Sequence, residues 1–376
     1  MSRSSRCFLG FVLAAAASGA PLAAQTTYPS VKINGRLQEH LYYFDNDGLG
    51  VGPTSNVLTR RARIGASVQI AENVLLVLQP SFEGGRNLSG SGRLRPDSSV
   101  SLSGGRSGFR LRDAYIDVRL TRAEAPTSVT VRFGQEKRPF GRYELISSTN
   151  LPSIERGAGA GLLAAASNDL FASAGYLSHD VGASATVAHS LGGNRALTLQ
   201  AGVYNGQGES LNDVNGAKSF GVRLTVGLVG KLEVGGSVFS HDAVVGADSS
   251  ARNTAFGIDF QWQKPGDEGL FLVGDFMQGE DRTGTVDMRG LSLVGAYHVR
   301  MKRPGAWLYA VEPFARFDYA DPDTGTDDDG ATLVTAGLGF YVSSRAHFRL
   351  AYERQAFEAA GVDAVSGVRS QMAVSF

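Results

Sequence analysis

The sequence predicts an all-β chain closed into a transmembrane antiparallel β-barrel of about sixteen strands. Three observations carry that expectation. The last segment alternates faces, with Val368, Ser370, Met372, Val374 and Phe376 on one side and Arg369, Gln371, Ala373 and Ser375 on the other. A strand with one greasy and one wet face suits lipid on one side and water on the other. Segments of the same kind recur along the whole chain, separated by links that alternate between short and long. Finally, no stretch after the first few residues approaches the roughly twenty apolar residues of a membrane-crossing helix. A chain that sits in a membrane without such helices must do so as a closed sheet, because lipid offers no partner to an open backbone edge.

Residues 1–24 read as an export leader. Arg3 and Arg6 precede an apolar run from Cys7 to Ala17, and small residues follow up to Ala24, after which cleavage is expected. Cys7 is the only cysteine, so residues 25–376, the barrel itself, carry no disulfide or thiol chemistry. The implied location is the cell outer membrane of a Gram-negative type of cell.

The first strand sets Val31, Ile33, Gly35, Leu37, Leu41 and Tyr43 against Lys32, Asn34, Arg36, Gln38 and His40. The second sets Ala62, Ile64, Ala66, Val68 and Ile70 against Arg61, Arg63, Ser67 and Gln69. Further strands fall near 74–83, 109–120, 128–136, 181–189, 195–205, 220–228, 231–241, 252–263, 269–279, 289–300, 306–319, 331–342, 346–357 and 367–376. Short links at 71–73, 229–231, 301–305 and 343–345 suit periplasmic turns. Long polar links at 45–56, 84–108, 206–217, 242–251, 280–288, 320–330 and 358–366 suit extracellular loops. A weak pattern at 168–179 would make an odd strand and is assigned to the long loop before it. Trp262 and Trp307 fall at the periplasmic interface, and Tyr42, Tyr43 and Phe44 close the first strand at the opposite one.

Composition narrows function. Lys plus Arg equals Asp plus Glu at 36 each, which gives no argument for nucleic acid. Glycine, 48 of 376, falls inside strand patterns as well as between them, as in curved sheets. Asp321 to Asp329 resembles the start of a calcium loop, but Thr332 stands where the bidentate Glu belongs. Gly159-x-Gly161-x-x-Ala164 imitates a dinucleotide fingerprint without the strand and helix that motif requires. The six histidines are scattered, and neither H-E-x-x-H nor G-x-S-x-G occurs, so no catalytic set, metal or cofactor is called for.

From Val129 the chain reads Val-Thr-Val-Arg-Phe-Gly-Gln-Glu-Lys-Arg-Pro-Phe-Gly-Arg-Tyr-Glu, then Ile146-Ser147-Ser148-Thr149-Asn150 and Ile154-Glu155-Arg156. Tyr204 to Gly208, Asp213 to Lys218 running into Arg223-Leu224, and Val311 to Asp318 follow in order. Together these stretches resemble the phosphate-selective porin O and P family. The resemblance implies a sixteen-stranded homotrimer whose third loop, here about 137–179, folds into the lumen and narrows it. It also implies that Lys137, Arg138, Arg142 and Arg156 form the constriction; strand alternation places Arg36, Arg61, Arg63, Arg132, Arg223 and Arg316 on the lumen wall. Arginine suits such a path because its planar fork holds phosphate oxygens in pairs. The wet faces of the strands, however, carry ten basic and ten acidic side chains. The expected function is therefore passive diffusion of small hydrophilic solutes, with a weak preference for anions, phosphate or polyphosphate among them. Expected partners are outer-membrane lipid and lipopolysaccharide. A non-conducting surface barrel for adhesion or receptor work is the alternative, and a barrel hydrolase a more distant one.

Overall fold

The computed structural model describes residues 27–84, 88–89, 100–102, 108–193, 195–228, 230–246, 249–302 and 307–376. The leader expected at 1–24 lies outside them. Sixteen strands form one closed antiparallel barrel: β1 (Ser30–Asp45), β2 (Thr54–Ala71), β3 (Val74–Glu83), β4 (Gly108–Arg119), β5 (Thr127–Lys137), β6 (His179–Gly192), β7 (Arg195–Tyr204), β8 (Ser219–Gly227), β9 (Leu232–Gly246), β10 (Ser249–Trp262), β11 (Gly269–Glu280), β12 (Asp287–Arg300), β13 (Ala310–Asp321), β14 (Ala331–Ser343), β15 (Ala346–Phe357) and β16 (Val365–Ser375). Each strand pairs with its sequence neighbours, and β1 closes on β16 from Arg36 opposite Ser375 to Asp45 opposite Ser366. Reciprocal bonds between the backbones of Gly35 and Phe376, 3.0 and 3.1 Å long, finish the seam. Two short strands, Leu88–Ser89 and Ser101–Leu102, pair with each other outside the barrel ladder.

All sixteen expected strands are present, and 168–179 holds a helix, α2 (Ser167–Ser173), in place of a further strand. One expected loop is mostly strand: across 242–251 the β9–β10 ladder continues, with Ala243 opposite Ala251 and Val244 opposite Ser250. Above the lipid a strand needs only its backbone partner, so the loss of apolar alternation there does not mark its end.

The faces are inverted relative to a water-soluble protein. Val31, Ile33, Leu37, Leu224, Ile258 and Phe376 are exposed around the outside, while Gln38, Arg223, Asp318, Arg349 and Arg369 are buried toward the lumen. Trp262 and Trp307 stand exposed at the short-turn end, as expected. Tyr43 also faces outward, but Tyr42 and Phe44 do not join it. Alternation turns both inward, where they are buried against Leu162 and Leu333.

Two β-bulges reset the facing of the wall. Arg60 is the extra residue between Arg61, opposite Gln38, and Thr59, opposite Glu39. Arg112 is the extra residue between Asp113, opposite Gln79, and Leu111, opposite Pro80. A bulge lets two successive residues lean to one side, and it tolerates the missing N–H of proline.

Candidate functional site

The link between β5 and β6, residues 138–178, is held inside the barrel by bonds to strands all around it. Glu155 accepts from Arg60 at 2.5 Å and Arg61 at 2.7 Å on β2. Arg316 on β13 donates to the carbonyls of Glu155 and Gly157 at 2.8 and 2.9 Å. Gln355 on β15 exchanges two bonds with the backbone of Leu163. Arg369 on β16 donates to the carbonyls of Ala158 and Ala160 at 3.0 and 2.8 Å. On the opposite wall, Asp275 of β11 accepts the backbone N–H groups of Arg142 and Tyr143, which open the short helix α1 (Arg142–Leu145).

The dinucleotide-like glycines have a steric explanation. Gly161 has φ +88°, and a Cβ there would lie 2.5 Å from the Tyr42 ring. Gly159 has φ +75°, and a Cβ would meet Glu155 at 2.7 Å. Both let the loop run against the wall. Asp321 and Asp323 spend carboxylate oxygens closing their own turns, on the N–H groups of Asp323 and Gly325.

Charge sets the loop's stability. Burial works against an ionised Glu155, but Arg60, Arg61 and His40 outweigh it and hold this carboxyl well below the ordinary glutamate range. Burial likewise opposes ionisation of Glu144, yet Lys137 and Arg156 bring it down to about 2. Asp169 differs. Burial raises it to about 6, against bonds from the backbone N–H groups of Ala158 and Ala166.

Between this loop and strands β1 to β7 lies a cleft of about 290 Å³. Six cations line it, Arg36, Arg63, Arg112, Arg132, Lys137 and Arg156, against the carboxylates of Asp113 and Glu136. Most are compensated nearby. Arg63 and Arg112 face Glu83, Arg132 is held by Asp117 at 2.6 Å, and Lys137 and Arg156 each lie 3.5 Å from Glu144. Arg36 is the exception: among the described residues no carboxylate lies within 4.0 Å of it. Its guanidinium donates instead to the Ser148 hydroxyl at 2.6 Å and the Ser147 hydroxyl at 3.4 Å.

The ten residues singled out from sequence therefore separate. Arg36, Arg63, Arg132, Lys137 and Arg156 come together in the cleft. Arg61 and Arg316 hold the loop, and Arg223 is locked to Asp259 by two bonds of 2.6 and 2.8 Å. Arg142 reaches the far wall, bonding Glu233 at 2.5 Å and Gln261 at 2.8 Å. Arg138 departs furthest from expectation. It is 3 % exposed, bonded to Asp180 at 2.7 Å and to the Leu177 carbonyl at 3.1 Å, with Phe239 beneath it. It fastens the loop's two ends together and presents no charge to the lumen. Sequence reasoning missed Arg60, Arg112, Ser147 and Ser148. The two arginines sit at bulges, and simple alternation sends both to the lipid side.

A family model described as phosphate-selective porin O and P matches residues 31–259. No curated protein matches the chain significantly. Among solved structures, the anion-selective porin from Comamonas acidovorans is 13% identical, covers 93% of this chain and 100% of that one, and superposes with a TM-score of 0.60. The outer membrane channel DcaP of Acinetobacter baumannii is also 13% identical, covering 94% of this chain and 100% of that one, with a TM-score of 0.56. The trimer form of in-vitro folded OmpT from Vibrio cholerae is 14% identical over 93% of this chain and 100% of that one, with a TM-score of 0.54. These likenesses are of fold.

Proposed function

The chain belongs to the phosphate-selective porin O and P family, and on that premise we propose where along its path solutes are selected. It is a porin, an outer-membrane channel for diffusion. In this reading passage is passive, without a catalytic step, and runs through the cleft between the inward loop and β1 to β7. The selecting element is Arg36 with the hydroxyls of Ser147 and Ser148, supported by Arg63, Arg112, Lys137 and Arg156. Arg138 and Arg142 are left out of the selecting set because neither lines the cleft.

One observation carries the reading: Arg36 is the cleft cation without a carboxylate partner. A compensated pair acts on a passing ion as a dipole, whose field falls quickly. An uncompensated charge in a narrow, poorly hydrated passage acts at a lower effective dielectric and over a longer range. The neighbouring hydroxyls replace part of the hydration shell that an anion sheds there. The preference is modest, since the wall is otherwise balanced, and phosphate suits the arginine fork and hydroxyl donors best. The assembled form is a homotrimer set in outer-membrane lipid and lipopolysaccharide. One fold-related structure is described as a trimer form.

The test is block of chloride current by phosphate in planar bilayers. Wild type should be blocked, and Arg36→Gln should need several-fold more phosphate. Equal block in both would overturn the assignment to Arg36.

A further inference from the structure

The lumen holds a second cleft, which shares only Arg36 with the selecting one. It opens at the short-turn end, where Gly266 and Arg345 stand in turns, and it runs up beneath Thr149 and Pro152 of the loop. Its volume is about 140 Å³. An apolar cavity of about 150 Å³ takes one benzene ring, so the space fits a single six-membered ring. Three rings border it: Phe271, packed into the loop's apolar cluster, and Tyr341 and His347, whose rings lie 5.0 Å apart.

The charges around this space ask for an anion. Arg36 stands at its inner edge and Arg345 at its mouth, and among the described residues neither has a carboxylate within 4.0 Å. Arg36 is opposite Ser375, whose N–H donates to the Arg345 carbonyl at 2.8 Å. The two cations thus flank β16, about 10 Å apart at the backbone for two strand spacings. Arg349 also lines the cleft, is 2 % exposed, and has an Nε with no hydrogen-bond partner. Its charge is met by the one carboxylate present, Glu312, 3.6 Å away, which His298 at 2.9 Å and Tyr341 at 2.7 Å also engage, so the cations left open to a ligand are Arg36 and Arg345.

We propose that this cleft binds a single-ring aromatic carboxylate entering from the periplasmic end, its ring against Phe271, Tyr341 and His347 and its carboxylate toward Arg345 and Arg36. The bordering rings supply dispersion and edge contacts, and the arginines supply charge-assisted hydrogen bonds. An aliphatic carboxylate keeps only the second contribution.

Binding is read by fluorine NMR of para-fluorobenzoate on the purified wild-type barrel in detergent, a measurement that needs no current and so stands apart from the selectivity reading. The signal should broaden, and benzoate should displace the probe where equal acetate does not. Arg345→Gln, in an exposed turn where folding is not at risk, should weaken binding about tenfold, the share of one charge-assisted hydrogen bond. Arg345→Lys should restore part of it. Acetate competing as well as benzoate would overturn the ring site. Unchanged affinity in Arg345→Gln would overturn the placement.

Discussion

Arg61 of β2 and Glu155 of the inward loop lie 2.7 Å apart, with both side chains almost wholly buried. Arg60, turned inward by the bulge, bonds the same carboxylate. The loop is thus pinned to the wall by two cations on one anion. Removing one member of a buried ion pair costs about 3–5 kcal/mol, because the remaining charge keeps its desolvation. Glu155→Gln should therefore release the loop's central segment. Single-channel recordings should show a larger, noisier conductance than wild type, with a lower unfolding temperature.

The outward face is tested by charge insertion. Leu224 is exposed on the outside, and Val68 and Val226 share its facing in their ladders. Arginine at the bilayer midplane costs about 2–4 kcal/mol. Val68→Arg and Leu224→Arg should sharply lower the yield of heat-modifiable barrel, Val226→Arg, beside the short-turn end of β8, should lower it less, and Thr225→Arg, facing the lumen, should fold.

Closure depends on the last strand. Without residues 368–376, β1 and β15 lose their ladder partner and leave an open edge in lipid. That truncation should be lost from the outer membrane and degraded. Deleting Phe376 alone removes the Gly35 bonds and should lower surface level less. Quantitative blotting of outer-membrane fractions checks both.

The loop should also respond to pH, through two acids of opposite sign. Glu144, held at about 2, favours the docked loop at neutral pH and loses that contribution only as pH falls toward 2. Asp169, raised to about 6, binds its proton more tightly in the folded state. Its contribution is full below the unfolded carboxyl range and is lost as pH rises through about 6. Between pH 5 and 8 the loop should therefore loosen in wild type, seen as rising open-channel noise. Asp169→Asn should flatten that dependence.

Much of this was legible in the residues, and the failures have physical causes. Alternation of Leu37 with Arg36 and of Val68 with Ser67 gave strands and faces, because a barrel wall in lipid tolerates few exceptions. The same rule hid Arg60 and Arg112, since a bulge shifts facing without changing composition. Their signal was present: Arg60-Arg61 and Arg112-Asp113 are adjacent charges in strands, one of which alternation would put in lipid. Arg138 could not be placed from sequence, because Asp180, which neutralises it, lies 42 residues away. Basic residues of a loop are visible in sequence, but their compensation is visible only in the fold.

In the proposed reading an uncompensated Arg36 sets the ion preference. Reversal potential in planar bilayers under a tenfold salt gradient tests it most directly, for wild type, Arg36→Gln and Arg142→Gln. Wild type should lie on the anion side, Arg36→Gln should move toward cations, and Arg142→Gln should stay close to wild type. A shift in Arg142→Gln with none in Arg36→Gln would contradict it.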